Sequence, residues 1–474
     1  VDKTSQLGKA GIIVLQGLGW LRKKNHQING DKMARGRRLG GMERLFHQQN
    51  QANSSNMCAV LLYEGHIDTS MIPKALAEVQ KAFPLLTARI VADPYLRYDE
   101  APGEIPYRIM ERRDDEHYRL LVRDEVRRRF DDTRMLLTVL EGPERGELIF
   151  SIDHVLADAR SLYVVCQYFI AAMKGRRLSY VPVGDCWEKR VPRAFRWFRG
   201  FWKRVQFVRR LFKGLPQQTR IFGYDVPHIH TQSFGFQLES ALVKKLKLRT
   251  EAERTNLNAI FCAAAMMAAF DQFAGGEAGA FGLNTPVSLR EQLNPPAAAE
   301  EIGMFLSGYL QWHQLAPETD IWELSRNILT NLREAVKRGD PILLGQLGQG
   351  PRKPQPIKED KARKRLNHAI TVSNPGRLEA FEELPQARIY GYRNLGSLWQ
   401  HESITVVVLT YGDYLCVDAE ISVERLGHFP DAARRLAEGI RRRIMELIEE
   451  DVDVPAAAYA GRSRAPLQEL PMWG

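Results

Sequence analysis

Apolar and polar positions along the chain change period repeatedly, from continuous apolar runs to helical spacing and back. Residues 57–63 form an apolar run of strand length, the pattern of a strand buried on both faces. Residues 73–83 place Leu76, Val79 and Phe83 at helical spacing. Pro84 closes that helix, because proline disfavours an α conformation in the residue before it. Residues 88–91 resume as strand. The run 147–152 predicts another buried strand, and 160–173 predicts a helix with Leu162, Val165, Cys166 and Phe169 on one face. A tight polar turn, 153–159, lies between them.

The second half continues the alternation. Residues 256–273 predict a helix rich in alanine, suited to close packing on a sheet, and 280–287 and 369–373 predict strands. Two further runs, 403–409 and 415–421, flank Tyr411–Gly412–Asp413 and read as a hairpin. A last amphipathic helix spans 430–448. Segments 294–301, 345–364 and 452–474 are rich in Pro, Gly, Ala or charge and read as linkers or loops. No internal repeat is present, so solenoids and propellers are set aside. The sum is an α/β or α+β fold.

Composition narrows the class. The 474 residues, 44% hydrophobic and 26% charged, suit two to four folding units or two large lobes, and exclude a disordered or collagen-like chain. No apolar run approaches membrane-spanning length. The apolar stretch 11–15 lacks a basic leader and a cleavage site, so no signal peptide is expected. Five widely spaced cysteines without Cys-x-x-Cys predict reduced thiols and a cytoplasmic setting. The net charge of +10 suits polyanionic partners. No zinc-finger, helix-turn-helix or RNA-recognition pattern accompanies it, so nucleic acid is not an expected partner. His228–Ile229–His230 lacks a third ligand, so no metal is expected.

The chemically informative stretch is the turn. His154 and Asp158 stand four apart between a buried strand and an amphipathic helix. Such a turn can aim an imidazole into a cleft while the carboxylate pins the loop. An imidazole titrates near working pH, which fits it for general-base work. His-x-x-x-Asp also recurs by chance, and an ordinary buried or surface histidine is the plain alternative.

Further stretches in order strengthen the reading. His154-x-x-x-Asp158 is similar to the His-x-x-x-Asp-Gly motif of the chloramphenicol-acetyltransferase-like superfamily, which includes CoA-dependent acyltransferases, condensation domains and polyketide-associated acyltransferases. The opening segment 39–46, the 83–90 element (Phe-Pro-Leu-Leu-Thr-Ala-Arg-Ile), the alanine-rich helix 258–267, Thr285-Pro-Val-Ser-Leu-Arg290, Glu301-Ile-Gly-Met-Phe305 and Val372-Ser-Asn-Pro-Gly-Arg377 resemble its other motifs. Together they cover about residues 39–450. Ala159 replaces the usual glycine, Asp153 stands where condensation domains have a second histidine, Met304 replaces a common asparagine, and no Asp-Phe-Gly-Trp-Gly is present.

The resemblance implies two similar lobes, each a mixed sheet flanked by helices, with an active-site tunnel at their interface. Expected boundaries are 1–38 for an N-terminal extension, 39–225 for the first lobe, 226–450 for the second and 451–474 for a tail. It also implies that His154 is the general base, that Asp158 orients the motif loop, and that Arg290 is the partner of Asp158. Ser373 and Asn374 are its oxyanion candidates. The donor would be an acyl-CoA or acyl-carrier-protein thioester, with no permanently bound cofactor and no covalent acyl-enzyme. A hydroxylated, lipophilic acceptor is favoured; an amide-forming condensation enzyme and an idle binding or scaffold relative are the alternatives.

Residues 189–213 interleave Lys and Arg with Trp and Phe. Cations beside aromatics are what an interfacial helix needs. Arg196, Trp197, Phe201, Trp202, Lys203 and Arg204 are therefore candidates for docking on an anionic membrane, giving a peripheral place on its inner face. A structural inter-lobe helix, and a cradle for CoA phosphates or an acidic carrier protein, are the other readings.

Overall fold

A computed structural model of the chain describes residues 36–52, 54–92, 95–97, 104–130, 133–196, 199–214, 216, 230–347, 369–398 and 402–449. The expected extension up to residue 35, the tail 451–474, Trp197, His228 and most of the 345–364 linker lie outside them.

In chain order the strands are β1 (Gly36–Arg38), β2 (Asn56–Gly65), β3 (Arg89–Ala92), β4 (Tyr95–Arg97), β5 (Tyr107–Glu111), β6 (Met135–Glu141), β7 (Arg145–Asp153), β8 (Thr231–Leu238), β9 (Gly279–Ser288), β10 (Leu306–Leu315), β11 (Ile370–Leu378), β12 (Ala387–Gly396), β13 (Ile404–Tyr411) and β14 (Tyr414–Ser422). The principal helices are α1 (Gly41–Ala52), α2 (Ile72–Ala82), α3 (Asp115–Arg127), α4 (Ala159–Met173), α5 (Phe201–Gly214), α6 (Ser240–Ala252), α7 (Leu257–Phe273), α8 (Ile321–Arg338), α9 (Asp340–Leu347) and α10 (Ala432–Glu449).

Among the described residues the strands form a small sheet, β1-β4-β3, and two large ones. The first large sheet has the order β12-β2-β7-β6-β5, the second β10-β9-β11-β13-β14-β8. Both mix parallel and antiparallel pairs: β5 runs parallel to β6, and β11 parallel to both β9 and β13.

The continuous apolar run in β2 has a direct cause, since its sheet is covered on both faces. Cys58, Val60 and Leu62 pack on α3 through Tyr118, Leu121 and Val122. Their alternates, Met57, Ala59 and Leu61, pack with Leu76 of α2 and Val165 and Phe169 of α4. Each fully buried side chain of Leu or Phe size stabilises by about 1.5–3 kcal/mol. In the second lobe α7 is buried along nearly its whole length, with α8 and α10 beside it. Its alanines permit close approach. At the crossing with α10, a Cβ on Gly439 would stand 2.6 Å from Gln272 Nε2 and 3.3 Å from Ala268 Cβ.

The lobes are not separate bodies. The first-lobe core runs on to Val407, Leu409 and Cys416, on the far face of the second sheet. One strand also crosses over: β12, from the second half of the chain, pairs antiparallel with β2 from Ala387↔Gly65 to Gly396↔Met57. Its Arg393 reaches back into the second lobe, donating from Nε to Asp418 Oδ1 (2.7 Å), and gives a further bond from Nη1 to the Tyr118 hydroxyl (3.0 Å).

The basic aromatic stretch is broken rather than continuous. Short 3-10 turns at Trp187–Arg190 and Arg193–Phe195 precede α5, with Pro192 and Gly200 at the interruptions. No described helix is both long and apolar enough to cross a membrane.

Candidate active site

The site is assembled at the end of β7. Register pairs Asn56 with Asp153, the last residue of the strand, so His154 begins the turn just past the sheet. Its amide donates to Ser55 O (3.2 Å), and Leu156 N closes the turn on Asp153 O (3.0 Å). Asp153 is fully buried. Its Oδ1 accepts from Asn50 Nδ2 (2.7 Å) and Val155 N (3.0 Å), while Oδ2 accepts from Arg134 Nη1 (2.9 Å). These bonds anchor the turn to α1 and to the chain just before β6.

His154 is half-buried, with its ring 4.3 Å from that of Phe46. Its Nδ1 lies 2.8 Å from Ala157 O. A carbonyl can only accept, so Nδ1 carries the proton and, in the neutral ring, Nε2 keeps its lone pair. Burial pushes the imidazole below its ordinary pKa, against the opposing pull of backbone hydrogen bonds and of Asp158 and Asp153. The resting ring is therefore neutral, with its basic nitrogen on the side away from the turn.

Asp158 faces the other way. It is the N-cap of α4, where Oδ1 accepts from Ser161 N and from Ser161 Oγ, both at 2.7 Å. Arg290 Nη2 reaches Asp158 Oδ1 at 3.1 Å and donates to Ser161 Oγ at 2.7 Å, while Nη1 donates to Glu301 O at 2.8 Å. Phe305 N donates to Asp158 Oδ2 (3.2 Å), and the Arg290 guanidinium lies 4.5 Å from the Phe305 ring centroid. Asp158 and Arg290 are 5% and 6% exposed, so this is a buried pair with its remaining polar groups largely bonded. It joins the start of α4 to the 301–305 segment across the lobe boundary. Arg290 itself begins a short 3-10 turn after β9 rather than ending the strand.

Ala159 takes the first helical position of α4, and its φ is not positive. Nothing in that backbone requires the usual glycine. The oxyanion candidates stand on the neighbouring lobe. Ser373 and Asn374 lie half-buried on β11, where its register with β13 shifts, and Asn374 Oδ1 accepts from Gly376 N (2.8 Å). Among the described residues neither bonds to His154.

Three contributors escaped the sequence reading. Ser161 stands at the Asp-x-x-Ser spacing of a helix N-cap, a legible signal. Arg134 and Asn50 reach Asp153 from distant segments, and no local spacing marks them.

The thiols are poor nucleophiles. Burial pushes Cys262 and Cys416 up to about 12, and all five cysteines are free. His230 pairs with Glu424.

The docking candidates divide. Phe201, Trp202 and Lys203 are exposed on α5, and Arg196 is exposed just before it. Arg204 is not on the outer face: its Nη2 donates to Phe195 O (2.8 Å) and Gln346 Oε1 (2.9 Å), tying α5 to α9. Trp197 is outside the described residues.

Residues 231–419 match the family model described as "Phthiocerol/phthiodiolone dimycocerosyl transferase C-terminus". No curated protein matches. Polyketide synthase associated protein 5 from Mycobacterium tuberculosis is similar in structure at TM-score 0.61 and 16% identity, covering 87% of this chain and 98% of that one. The EpoB cyclization-docking bidomain from Sorangium cellulosum is similar at TM-score 0.65 and 14% identity, covering 95% and 94%. The condensation domain of the Monacolin K polyketide synthase MokA is similar at TM-score 0.61 and 11% identity, covering 88% and 97%. With two mixed, helix-flanked sheets joined at a shared core and a second lobe matching the dimycocerosyl transferase model, the chain has the chloramphenicol-acetyltransferase-like fold of condensation domains and polyketide-associated proteins.

Proposed function

We propose that the protein transfers an acyl group from a thioester, carried by CoA or a carrier protein, to the hydroxyl of a lipophilic acceptor, with His154 as general base. The observation that carries this reading is the Nδ1 bond to Ala157 O, which leaves Nε2 as the basic nitrogen. Nε2 takes the acceptor proton as that oxygen attacks the thioester carbonyl. The tetrahedral intermediate collapses, the C–S bond breaks, and the proton passes from Nε2 to the departing thiolate. One ester and one free thiol result, and the ring ends as it began. A positioned base of this kind contributes about 10²–10⁴ in rate.

Asp158 and Arg290 are positioning residues in this scheme. They hold the N-terminus of α4, and with it the turn that presents His154. The high thiol pKa values support direct transfer over an acyl-cysteine intermediate. Substrates approach Nε2 along the junction of the lobes. The dimycocerosyl transferase match supports an ester product; the condensation-domain likeness is the reason to test amines as well.

The test is free-thiol release from acyl-CoAs of graded length and from acylated carrier protein, with pooled alcohols, amines and lipids, followed by mass spectrometry of the products. Wild type should release thiol in an acceptor-dependent manner, and folded His154→Ala should lose about 10²–10⁴ of that rate. Equal rates in both proteins would remove His154 as the base.

A further inference from the structure

Helix α5 presents two different faces. Its inner face carries buried Phe207 and is fixed to the second lobe by Arg204 Nη2 on Gln346 Oε1 (2.9 Å) and Arg210 Nη2 on Asp340 Oδ1 (2.7 Å), while Arg204 also holds Phe195 O of the preceding turn. That attachment sets which residues point outward. Trp202 is 69% exposed and Phe201 40%, their rings edge-to-face at 5.5 Å between centroids. Trp202, Gln206 and Arg209 follow one helical stripe, all exposed, with Arg199 and Lys203 exposed beside it. From residue 189 to 224 the chain holds eleven Lys and Arg and no Asp or Glu.

An exposed aromatic pair rimmed by cations is the pattern of an interaction surface. We propose that this outer face seats the protein on an anionic lipid bilayer, with Trp202 and Phe201 entering the headgroup–acyl boundary and Arg199, Lys203 and Arg209 lying among the headgroups. Two features favour a bilayer over an acidic protein. Tryptophan with its polar indole N–H is the side chain most suited to that boundary. The exposed aromatic and basic groups also lie within one short stretch, Arg199 to Arg209, around the outward stripe of α5, which a fluid surface can meet without a shaped pocket. The surface does not depend on the acyl-transfer reading, and its test needs no turnover.

The full chain is floated with vesicles of phosphatidylcholine containing phosphatidylserine, and with phosphatidylcholine alone, at low and high salt. Expected is co-flotation with the anionic vesicles that weakens as salt rises. The double variant Phe201→Ala/Trp202→Ala should lose about tenfold or more in partitioning. Arg199→Glu/Arg209→Glu should lose at least as much and flatten the salt dependence. Circular dichroism of each variant should match wild type. Absence of flotation at low salt, or flotation unaffected in both variants, overturns the proposal. So does protection of Trp202 from aqueous quenchers by an acidic carrier protein with none given by anionic vesicles.

Discussion

In the proposed reaction His154 must be neutral when the acceptor arrives, and it gains that property from its surroundings. Burial lowers its pKa, while the Ala157 carbonyl selects which nitrogen keeps the proton. The pH consequence has a definite sign. Because the folded-state pKa lies below the ordinary value of about 6.5, the basic form persists at pH values where a solvated imidazole is already protonated. The kcat/KM of the free enzyme should therefore hold level down to about pH 6.5 and fall only as pH drops through the lowered pKa, with a slope of one proton. A pH–rate profile measured with both donor and acceptor well below saturation checks this, and a midpoint above the ordinary imidazole value would contradict it. His154 and Asp158 could be read from the chain because their spacing and flanking strand and helix are local. Asp153 could be noticed, but its buried role depends on Arg134 and Asn50, which only the folded sheet brings to it.

At the level of elements, the N-terminus of α4 is the joint between lobes. Its cap, Asp158, is held by the guanidinium that also bonds Ser161 and the Glu301 carbonyl. A lysine supplies charge without the planar fork, so Arg290→Lys cannot make all these bonds together. Unfolding in urea should show it less stable by about 2–3 kcal/mol, and Arg290→Ala by about 3–5 kcal/mol, the range for stripping one partner from a buried pair. Since neither residue touches substrate in the proposed reaction, kcat should fall while KM for the acceptor stays near wild type; a rise in KM alone would place Arg290 in substrate binding. The pairing was legible only through the resemblance of 285–290 to a known motif. Periodicity could place Arg290 near the end of β9, but a partner 132 residues away along the chain is a property of the fold. The helix α5 was half legible in the same sense: composition announced a basic aromatic segment, yet only packing against α9 separates inward Arg204 and Phe207 from outward Trp202.

On the scale of the whole molecule, alternating periods were enough to announce sheets flanked by helices in both halves. They did not mark β12 at all, because Arg388, Arg393 and Asn394 interrupt its apolar positions, and so could not say which sheet it joins. The answer has a consequence for how this protein can be divided. Residues 36–225 end before the strand that covers β2, so a first half made alone would expose the backbone of a ten-residue strand built for burial on both faces. That half should collect in the insoluble fraction when expressed by itself and become soluble when residues 226–474 are supplied from a second gene, as judged by co-purification of the two pieces. Soluble, monomeric 36–225 would show that β12 is dispensable. If the expectation holds, the two halves cannot be shuffled as cassettes between proteins of this fold: any exchange of a second lobe also replaces one wall of the first, and donor and recipient must agree along the whole of that seam.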